Sequence, residues 1–346
     1  LHPRVRRQRQ MCIRDSYISK YGIDVDYFSI TPIFKQKKSC YKKINERLTI
    51  KDKYVLPFAS KFRAIQILNN SYIRLNLMKD YDVIILTHPN QYMCIPNKYR
   101  NKIKIIYECM DNIPFFYKDK MRRIIMDKEE ELCRKCDKII VSSQYLKRKI
   151  VIDYVIQEDK IEVIENAVDY SIIKQEVRDL DICHPNLMYI GTIDDWIDID
   201  TLNEFSANNL EYKIYLVGPI KKEIKQKLKY NVKLMDSIPH EMVKSYILKG
   251  DVMIIPFKTN ELINGVDPVK MYEYLTFNKP VITSYWSELD KYCSNELVYF
   301  YNNYNEFNKK IKVAEKHRDT HINMDFITEN NWETRIKRYV SILNSI

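Results

Sequence analysis

Lys270 and Glu273 stand three residues apart inside the run GVDPVKMYEYLTFNKPVITS, Gly265 to Ser284. The run reads as loop, short helix, tight turn and buried strand. Asp267 is placed to cap the helix and Pro268 to open it, since the first helical position needs no N–H donor. Met271, Tyr274 and Leu275 follow at i, i+3 and i+4 and face a core. Lys270 and Glu273 share another face near the helix start. Asn278-Lys279-Pro280 ends the helix before the apolar pair Val281-Ile282. A helix N-terminus with a lysine in its first turn suits a diphosphate. A carboxylate one turn further in can accept hydrogen bonds from a ribose. The chemistry outlined is the holding of a nucleotide sugar.

The elements that must position these groups alternate along the chain. At 346 residues the length allows about two domains, each with a substantial core. From Tyr17 the order is helix tail, with Gly22 as the left-handed residue after it, then the strand IDVDYFSI and a polar, lysine-rich stretch at 35–53 read as a loop or lid. A helix from Phe62 to Met78 and the strand Asp82–Thr87 come next, the latter breaking at His88-Pro89. The strand Lys104–Tyr107 runs into Glu108-Cys109-Met110-Asp111. Then come the helix Lys118–Cys136, the strand Lys138–Ser142, a helix capped by Ser142-Ser143 over Gln144–Tyr154, and the strand Ile161–Ile164. Periodicity fades from Asn166 to Pro185, which reads as an interdomain connection. A second series begins beyond it, with strands Asn186–Ile190, Lys213–Val217, Val232–Met235, Asp251–Pro256 and Val298–Phe300. Its helices open at Asp198, Lys221 (to Tyr230) and Glu241, and a helix closes the chain from Trp332. Repeated βα units predict parallel sheets covered by helices on both faces. The expected division is 1–16 foreign to the fold, 17–170 a first domain, 171–185 a linker, 186–327 a second domain and 328–346 a terminal helix.

Composition narrows the class. Lys and Arg number 57 against 46 Asp and Glu, a net +11, which favours anionic partners such as phosphorylated substrates, nucleic acid or an acidic membrane surface. The aromatic residues are spread through strands and helices without a nucleic-acid-binding module, which argues against nucleic acid. Only five glycines occur, where average usage gives roughly two dozen, so each marks a place where a side chain would not fit. Gly191 and Gly218 each follow a predicted strand, at the carboxyl edge where open α/β sheets bind ligands. Cys133 and Cys136 form the one close cysteine pair among eight. They lie in a helical run without further ligands, so they read as buried small residues and no metal site is expected. Scattered free cysteines suggest a reducing cytoplasm, and no apolar run approaches the roughly 18 residues of a spanning helix. The first sixteen residues carry five arginines and no lysine. The remainder of the chain is lysine-rich, so this opening segment reads as foreign to it.

The Gly265–Ser284 run resembles the donor-binding segment of bacterial glycosyltransferases of the GT-B fold, the group that builds surface polysaccharides such as teichuronic acids. Pro268, Lys270, Glu273, Tyr274, Leu275, Lys279, Pro280 and Val281 carry the resemblance. YIGTIDDWIDIDTL resembles that family's first donor-domain loop, LVGP and IPHEM match further positions, and Asn166-Ala167-Val168-Asp169 resembles its domain-junction run and reads as a hinge. The family normally opens with a strand and loop that precede the helix ending near Gly22, so the chain is expected to be truncated at its start. The resemblance implies two Rossmann-like doubly wound domains facing a cleft. It implies that Gly191, Gly218, Gly265, Val266, Lys270 and Glu273 contact a UDP- or GDP-linked sugar, which is a substrate rather than a cofactor. IIYECMDNIPFF resembles the motif in which a strand ends in acidic residues near the cleft. Asp111 is then the candidate base for the acceptor hydroxyl, Glu108 a second choice, and His88 a sugar or acceptor contact or a strand-end cap. Asp198 is expected to cap a helix. Two departures stand out: Gly265 replaces an early glutamate eight positions before Glu273, and a common diphosphate-gripping arginine has no counterpart, leaving Lys270 with most of the phosphate charge.

The reaction implied is metal-independent transfer of a sugar to a surface polysaccharide or lipid-linked oligosaccharide, at the cytoplasmic face, with the +11 charge and residues 35–53 favouring an anionic membrane surface. The alternatives are a nucleotide-sugar epimerase of the same fold, a basic nucleic-acid-binding protein, and an inactive fragment.

Overall fold

A computed structural model describes residues 13–35, 41–58, 62–76, 81–229, 231–317 and 319–346. The chain divides into two compact units, one holding the described chain up to Ile164 together with Ile336–Ile346, the other Glu165–Arg335.

The first unit has two hydrogen-bonded sheets among the described residues. Strand β1 (Val25–Pro32) pairs in parallel with β3 (Leu48–Val55), and β2 (Tyr41–Lys43) adds to β3 antiparallel. The strands β4 (Val83–Leu86), β5 (Lys104–Cys109), β6 (Lys138–Val141) and β7 (Ile161–Val163) form a wholly parallel sheet in that order. Two strands therefore occupy much of the stretch 35–53 that reads as a loop or lid in the sequence; residues 36–40 lie outside the described residues. Leu48 and Ile50 alternate with polar neighbours as a strand requires. Only Leu48 is fully buried, though, and the remaining half-buried Lys, Asp and Thr residues mask the period. Helices Asp119–Lys135 and Gln144–Tyr154 cover the parallel sheet, the second capped by Ser143, whose hydroxyl accepts from the Leu146 N–H at 3.2 Å. Gly22, at φ +82°, is left-handed as its place after a helix predicts. Cys133 and Cys136 are buried, and burial raises both thiols, Cys136 to about 11.

The second unit is built on one six-stranded parallel sheet. Its strands are β8 (Asn186–Ile190), β9 (Lys213–Val217), β10 (Val232–Met235), β11 (Val252–Ile255), β12 (Val281–Ser284) and β13 (Val298–Tyr301), in the order β10-β9-β8-β11-β12-β13. Counted from β8 this is the order 3-2-1-4-5-6 of a dinucleotide-binding sheet. Strands β8, β11 and β12 are buried at every position, which is why they read as unbroken apolar runs rather than alternating ones. Asp198 caps the helix Ile199–Asn208 as expected, accepting from the Thr201 hydroxyl at 2.7 Å and its N–H at 3.3 Å.

Two expectations differ here. Of the helix predicted from Lys221 to Tyr230, the described residues form a single turn, Lys222–Lys225; Tyr230 lies outside the described residues. Lys222, Lys225 and Lys229 would stack like charges at i, i+3 and i+7 in a longer helix, and Ile224 is the turn's one buried residue. Residues 171–185, read as a linker, pack on the second unit. Ile172 is buried, Lys244 Nζ donates to the carbonyls of Ile173 (2.7 Å) and Gln175 (2.9 Å), and the Arg178 N–H donates to Ser245 Oγ at 2.9 Å. The junction run Asn166–Asp169 is anchored too: Val168 bridges to Asn331, with its N–H donating to the Asn330 carbonyl at 2.9 Å.

The turn after the Val269–Thr276 helix shows what its lysine does. Lys279 is buried, and its Nζ donates to the carbonyls of Leu248 (3.0 Å) and Gly250 (2.8 Å), at the end of the Val243–Lys249 helix. Burial draws its pKa down to about 8, against a smaller upward pull from Asp251. Because this value lies below that of an unfolded lysine, the folded protein binds fewer protons than the unfolded chain between pH 8 and 10.5. Wild type is therefore expected to gain stability relative to Lys279→Met as the pH rises through that window. Thermal unfolding of both proteins at stepped pH checks this.

Candidate functional site

The crossover of the six-stranded sheet falls between β8 and β11, where the chain leaves adjacent strands in opposite directions along the sheet and opens a crevice beyond their carboxyl ends. Gly191 follows β8 at φ +153° and Gly218 follows β9 at φ +137°, both in a region side chains rarely adopt. A Cβ on Gly191 would stand 2.5 Å from Lys270 Nζ and against its Cε, and a Cβ on Gly218 would strike the carbonyl of Gly191. The two glycines thus pack back to back, and their bare backbone lets the Lys270 ammonium reach the end of β8. Lys270 is 6% exposed, and its Nζ lies 5.0 Å from the centre of the Tyr189 ring. The Tyr189 hydroxyl in turn donates to the Thr192 carbonyl at 2.9 Å. Tyr274, one turn after Lys270, accepts from the Ile190 N–H at 3.0 Å, fixing the helix to β8. Met271, Tyr274 and Leu275 are buried as their spacing predicts.

The helix itself spans Val269–Thr276, with Pro268 as its N-cap and no side chain capping it. The expectation that Asp267 caps this helix is corrected. Its carboxylate turns instead into the protein, where it is fully buried and accepts from the Asn166 N–H (2.7 Å), the Tyr272 hydroxyl (3.0 Å) and Lys291 Nζ (2.9 Å). Asn166 Nδ2 also donates to the Asp267 carbonyl at 2.7 Å. A carboxylate offered a lysine, an amide N–H and a phenol has stronger partners there than at a helix start. Gly265 closes the short helix Glu261–Asn264 with ordinary right-handed φ of −84°, so its backbone does not require glycine. Val266 is buried, and its carbonyl accepts from Trp286 Nε1 at 2.9 Å. Glu273 is half-buried on the same helix as Lys270. The structure therefore joins Gly191, Gly218 and Lys270 in one cradle, with Glu273 a turn further along and Gly265-Val266 on the loop leading in.

In the first unit the predicted residues part company. Glu108, in β5, is buried and ion-paired with Arg14. Arg14 also pairs with Asp15 at 2.6 Å and lies 5.5 Å from the centre of the Tyr339 ring. This is a structural use of the carboxylate. It also shows that residues 13–16, expected to be foreign to the fold, form helix and core; residues 1–12 lie outside the described residues. His88 caps the turn Pro89–Cys94, its Nδ1 accepting from the Asn90 N–H at 3.2 Å, and its Nε2 lies 3.1 Å from the Tyr117 hydroxyl. Asp111 is half-buried on the loop leaving β5, and its carbonyl accepts from Cys109 Sγ at 3.3 Å. Among the described residues, no three His, Cys, Asp or Glu are grouped to hold a metal ion.

Comparison with known proteins bears on both units. Residues 17–171 match the Glycosyltransferase Family 4 model. A teichuronic acid biosynthesis glycosyltransferase of Bacillus subtilis, TuaH, is 24% identical over 198 residues, which are 52% of this chain and 50% of that protein. The chain thus aligns with about half the length of this curated relative. Sucrose-phosphate synthase from Thermosynechococcus elongatus superposes with a TM-score of 0.74 at 14% identity, covering 96% of this chain and 91% of that one. The chain has the GT-B fold. Anabaena HepE, solved in complex with UDP and glucose, superposes with a TM-score of 0.63 at 12% identity and 87% coverage of both chains.

Within this GT-B chain, the residues that sequence reading missed are the supports. Tyr189 is an ordinary core position by periodicity, and nothing local marks the ring beneath Lys270. Asn166, Tyr272 and Lys291 lie far apart in sequence, and only the fold gathers them on Asp267. An aspartate directly before a proline reads as a turn residue whether its side chain points out or in.

Proposed function

We propose that the protein is a glycosyltransferase that moves a sugar from a UDP- or GDP-linked donor to a surface polysaccharide or lipid-linked oligosaccharide. The observation that carries the reading is the cradle of Gly191, Gly218 and Lys270 at the crossover of a parallel sheet, a cation held against bare backbone where a diphosphate would lie. The family match over residues 17–171 and the UDP and glucose in the HepE structure support it. In the reaction, the acceptor oxygen forms a bond to the anomeric carbon and gives its proton to Asp111. The bond from that carbon to the nucleoside diphosphate breaks, and the leaving diphosphate carries the electron pair. Lys270 and the uncapped start of the Val269–Thr276 helix would offset that charge without a metal, while Glu273 would receive the ribose hydroxyls. The donor is a substrate, and no further cofactor is called for.

The net charge of +11 favours work at an anionic cytoplasmic membrane face. Exposed Phe62, Ile67, Leu68 and Leu75 in and before the Arg63–Asn76 helix offer apolar contact. Among the described residues no helix is long and apolar enough to cross a membrane.

Titration calorimetry with UDP and GDP, followed by turnover of UDP- and GDP-sugars with lipid-linked acceptors, tests the reading. Glu273→Ala is expected to weaken the preferred nucleotide about tenfold, the worth of roughly one charge-assisted hydrogen bond. Asp111→Asn is expected to keep that affinity and lose turnover by about 100-fold or more. Neither nucleotide binding to the wild type would remove the reading, and conversion of the donor's sugar without any acceptor would favour an epimerase.

A further inference from the structure

We propose that Lys291 is a positioning residue for the nucleotide diphosphate, acting through Asp267 on the helix that carries Lys270; this rests on the nucleotide-sugar reading above. Asp267 precedes Lys270 by three residues, and one proline separates it from the helix start. Its carboxylate has no exposure to solvent, while the Lys291 side chain is 26% exposed. Lys291 Nζ lies 2.9 Å from Asp267 Oδ1, 3.0 Å from the Tyr272 hydroxyl and 3.0 Å from Glu165 Oε1. One ammonium therefore ties the loop ahead of the helix, the helix's own fourth residue and the start of the second unit. Asn166, next to Glu165, holds Asp267 from the other side by both its backbone N–H and its side-chain amide. Burial pulls the Lys291 pKa down, but Asp267 and Glu165 together bring it above the ordinary lysine value, so the ammonium keeps its proton, while burial raises the Asp267 carboxyl against the pull of that ammonium.

Geometry makes this tie more than ordinary packing. The helix is eight residues long, and Lys270 lies in its first turn, so the ammonium's place beside Gly191 depends on the position of the preceding loop. Removing Lys291 leaves Asp267 as a buried carboxylate without its cation, which is strongly unfavourable. The loop would relieve that by moving Asp267 toward water, taking Pro268 and the first turn with it. Removing the charge of both partners leaves no such drive, because two neutral groups of similar shape can stay in place.

The test compares wild type, Lys291→Met, Asp267→Asn and the double variant for affinity to UDP and GDP and to the corresponding nucleosides uridine and guanosine, with thermal unfolding recorded for each. The expected result is that Lys291→Met weakens the preferred diphosphate by about tenfold or more, leaves its nucleoside within about twofold, and raises KM for the donor more than it lowers kcat. The double variant is expected to return diphosphate affinity to within about threefold of wild type. Unchanged diphosphate affinity in a folded Lys291→Met protein would overturn the proposal, as would equal loss for diphosphate and nucleoside, or a double variant as weak as the single one. A wild type that binds neither UDP nor GDP would overturn the underlying nucleotide reading, a different failure visible before any variant is made.

Discussion

Lys270→Met is expected to weaken UDP or GDP binding by about 100-fold while shifting thermal unfolding by only a few degrees. On the proposed reading the charge would do the binding, while the stem does the packing. Lys270 lies with its ammonium against Gly191 and over the Tyr189 ring, almost out of water. A diphosphate there would accept charge-assisted hydrogen bonds worth about 1.5–3 kcal/mol each, and two of them at the lower end of that range correspond to roughly two orders of magnitude in affinity. The segment directly after β8, Gly191-Thr192-Ile193, carries no arginine to share the load. Methionine keeps most of the aliphatic stem that fills the space above Tyr189, so the helix should stay seated. Glu273→Ala, one turn further along, serves as the scale for a lesser loss. Calorimetry on the pair decides the matter: equal, undiminished affinities would take Lys270 out of the donor site and leave it a packing residue.

How much of this could be read from the sequence depends on how local each signal is. Strands β8 and β9 have the bounds their apolar runs predict, because a buried parallel strand needs only consecutive apolar residues between turn signals. The scarcity of glycine made Gly191 and Gly218 conspicuous, and both sit where only a missing Cβ fits. Lys270 is legible for a different reason, as a cation in a helix's first turn. The partners of Asp267 were not, because Asn166 and Lys291 are separated from it by 101 and 24 positions, and pattern reasoning sees periodicity rather than contact. β3 was hidden by the half-buried lysines of LTIKDKYV. Lys279, part of the family-like turn, was legible as a helix breaker, but its buried role as donor to the Leu248 and Gly250 carbonyls required the tertiary structure. In the first unit, the acidic residues at the end of β5 and just beyond it mark candidate carboxylates, yet spacing does not say that Glu108 is already committed to Arg14.

Arg14 is what commits Glu108, and its removal is expected to be the most destabilising single change in the first unit. The guanidinium pairs with Glu108 and also donates to Asp15 Oδ1 from Nε at 2.9 Å and from Nη2 at 2.6 Å. All three side chains are under 10% exposed. Arg14→Met would leave two carboxylates buried side by side, each without its cation, and the loss of one member from such a cluster costs about 3–5 kcal/mol. For a unit of this size that lowers the unfolding temperature by roughly 10 °C. Burial already holds the Asp15 carboxyl above its ordinary value even with Arg14 beside it, so in the variant Asp15 should take up a proton more readily still, and lowering the pH should recover part of the lost stability. Glu108→Gln should cost far less, because Arg14 keeps Asp15 and the glutamine oxygen still accepts a hydrogen bond. The contrast separates the two readings of Glu108. A general base replaced by its amide loses turnover and keeps its fold, as expected of Asp111→Asn. A structural carboxylate replaced by its amide keeps turnover, and the penalty falls on the arginine that it was neutralising.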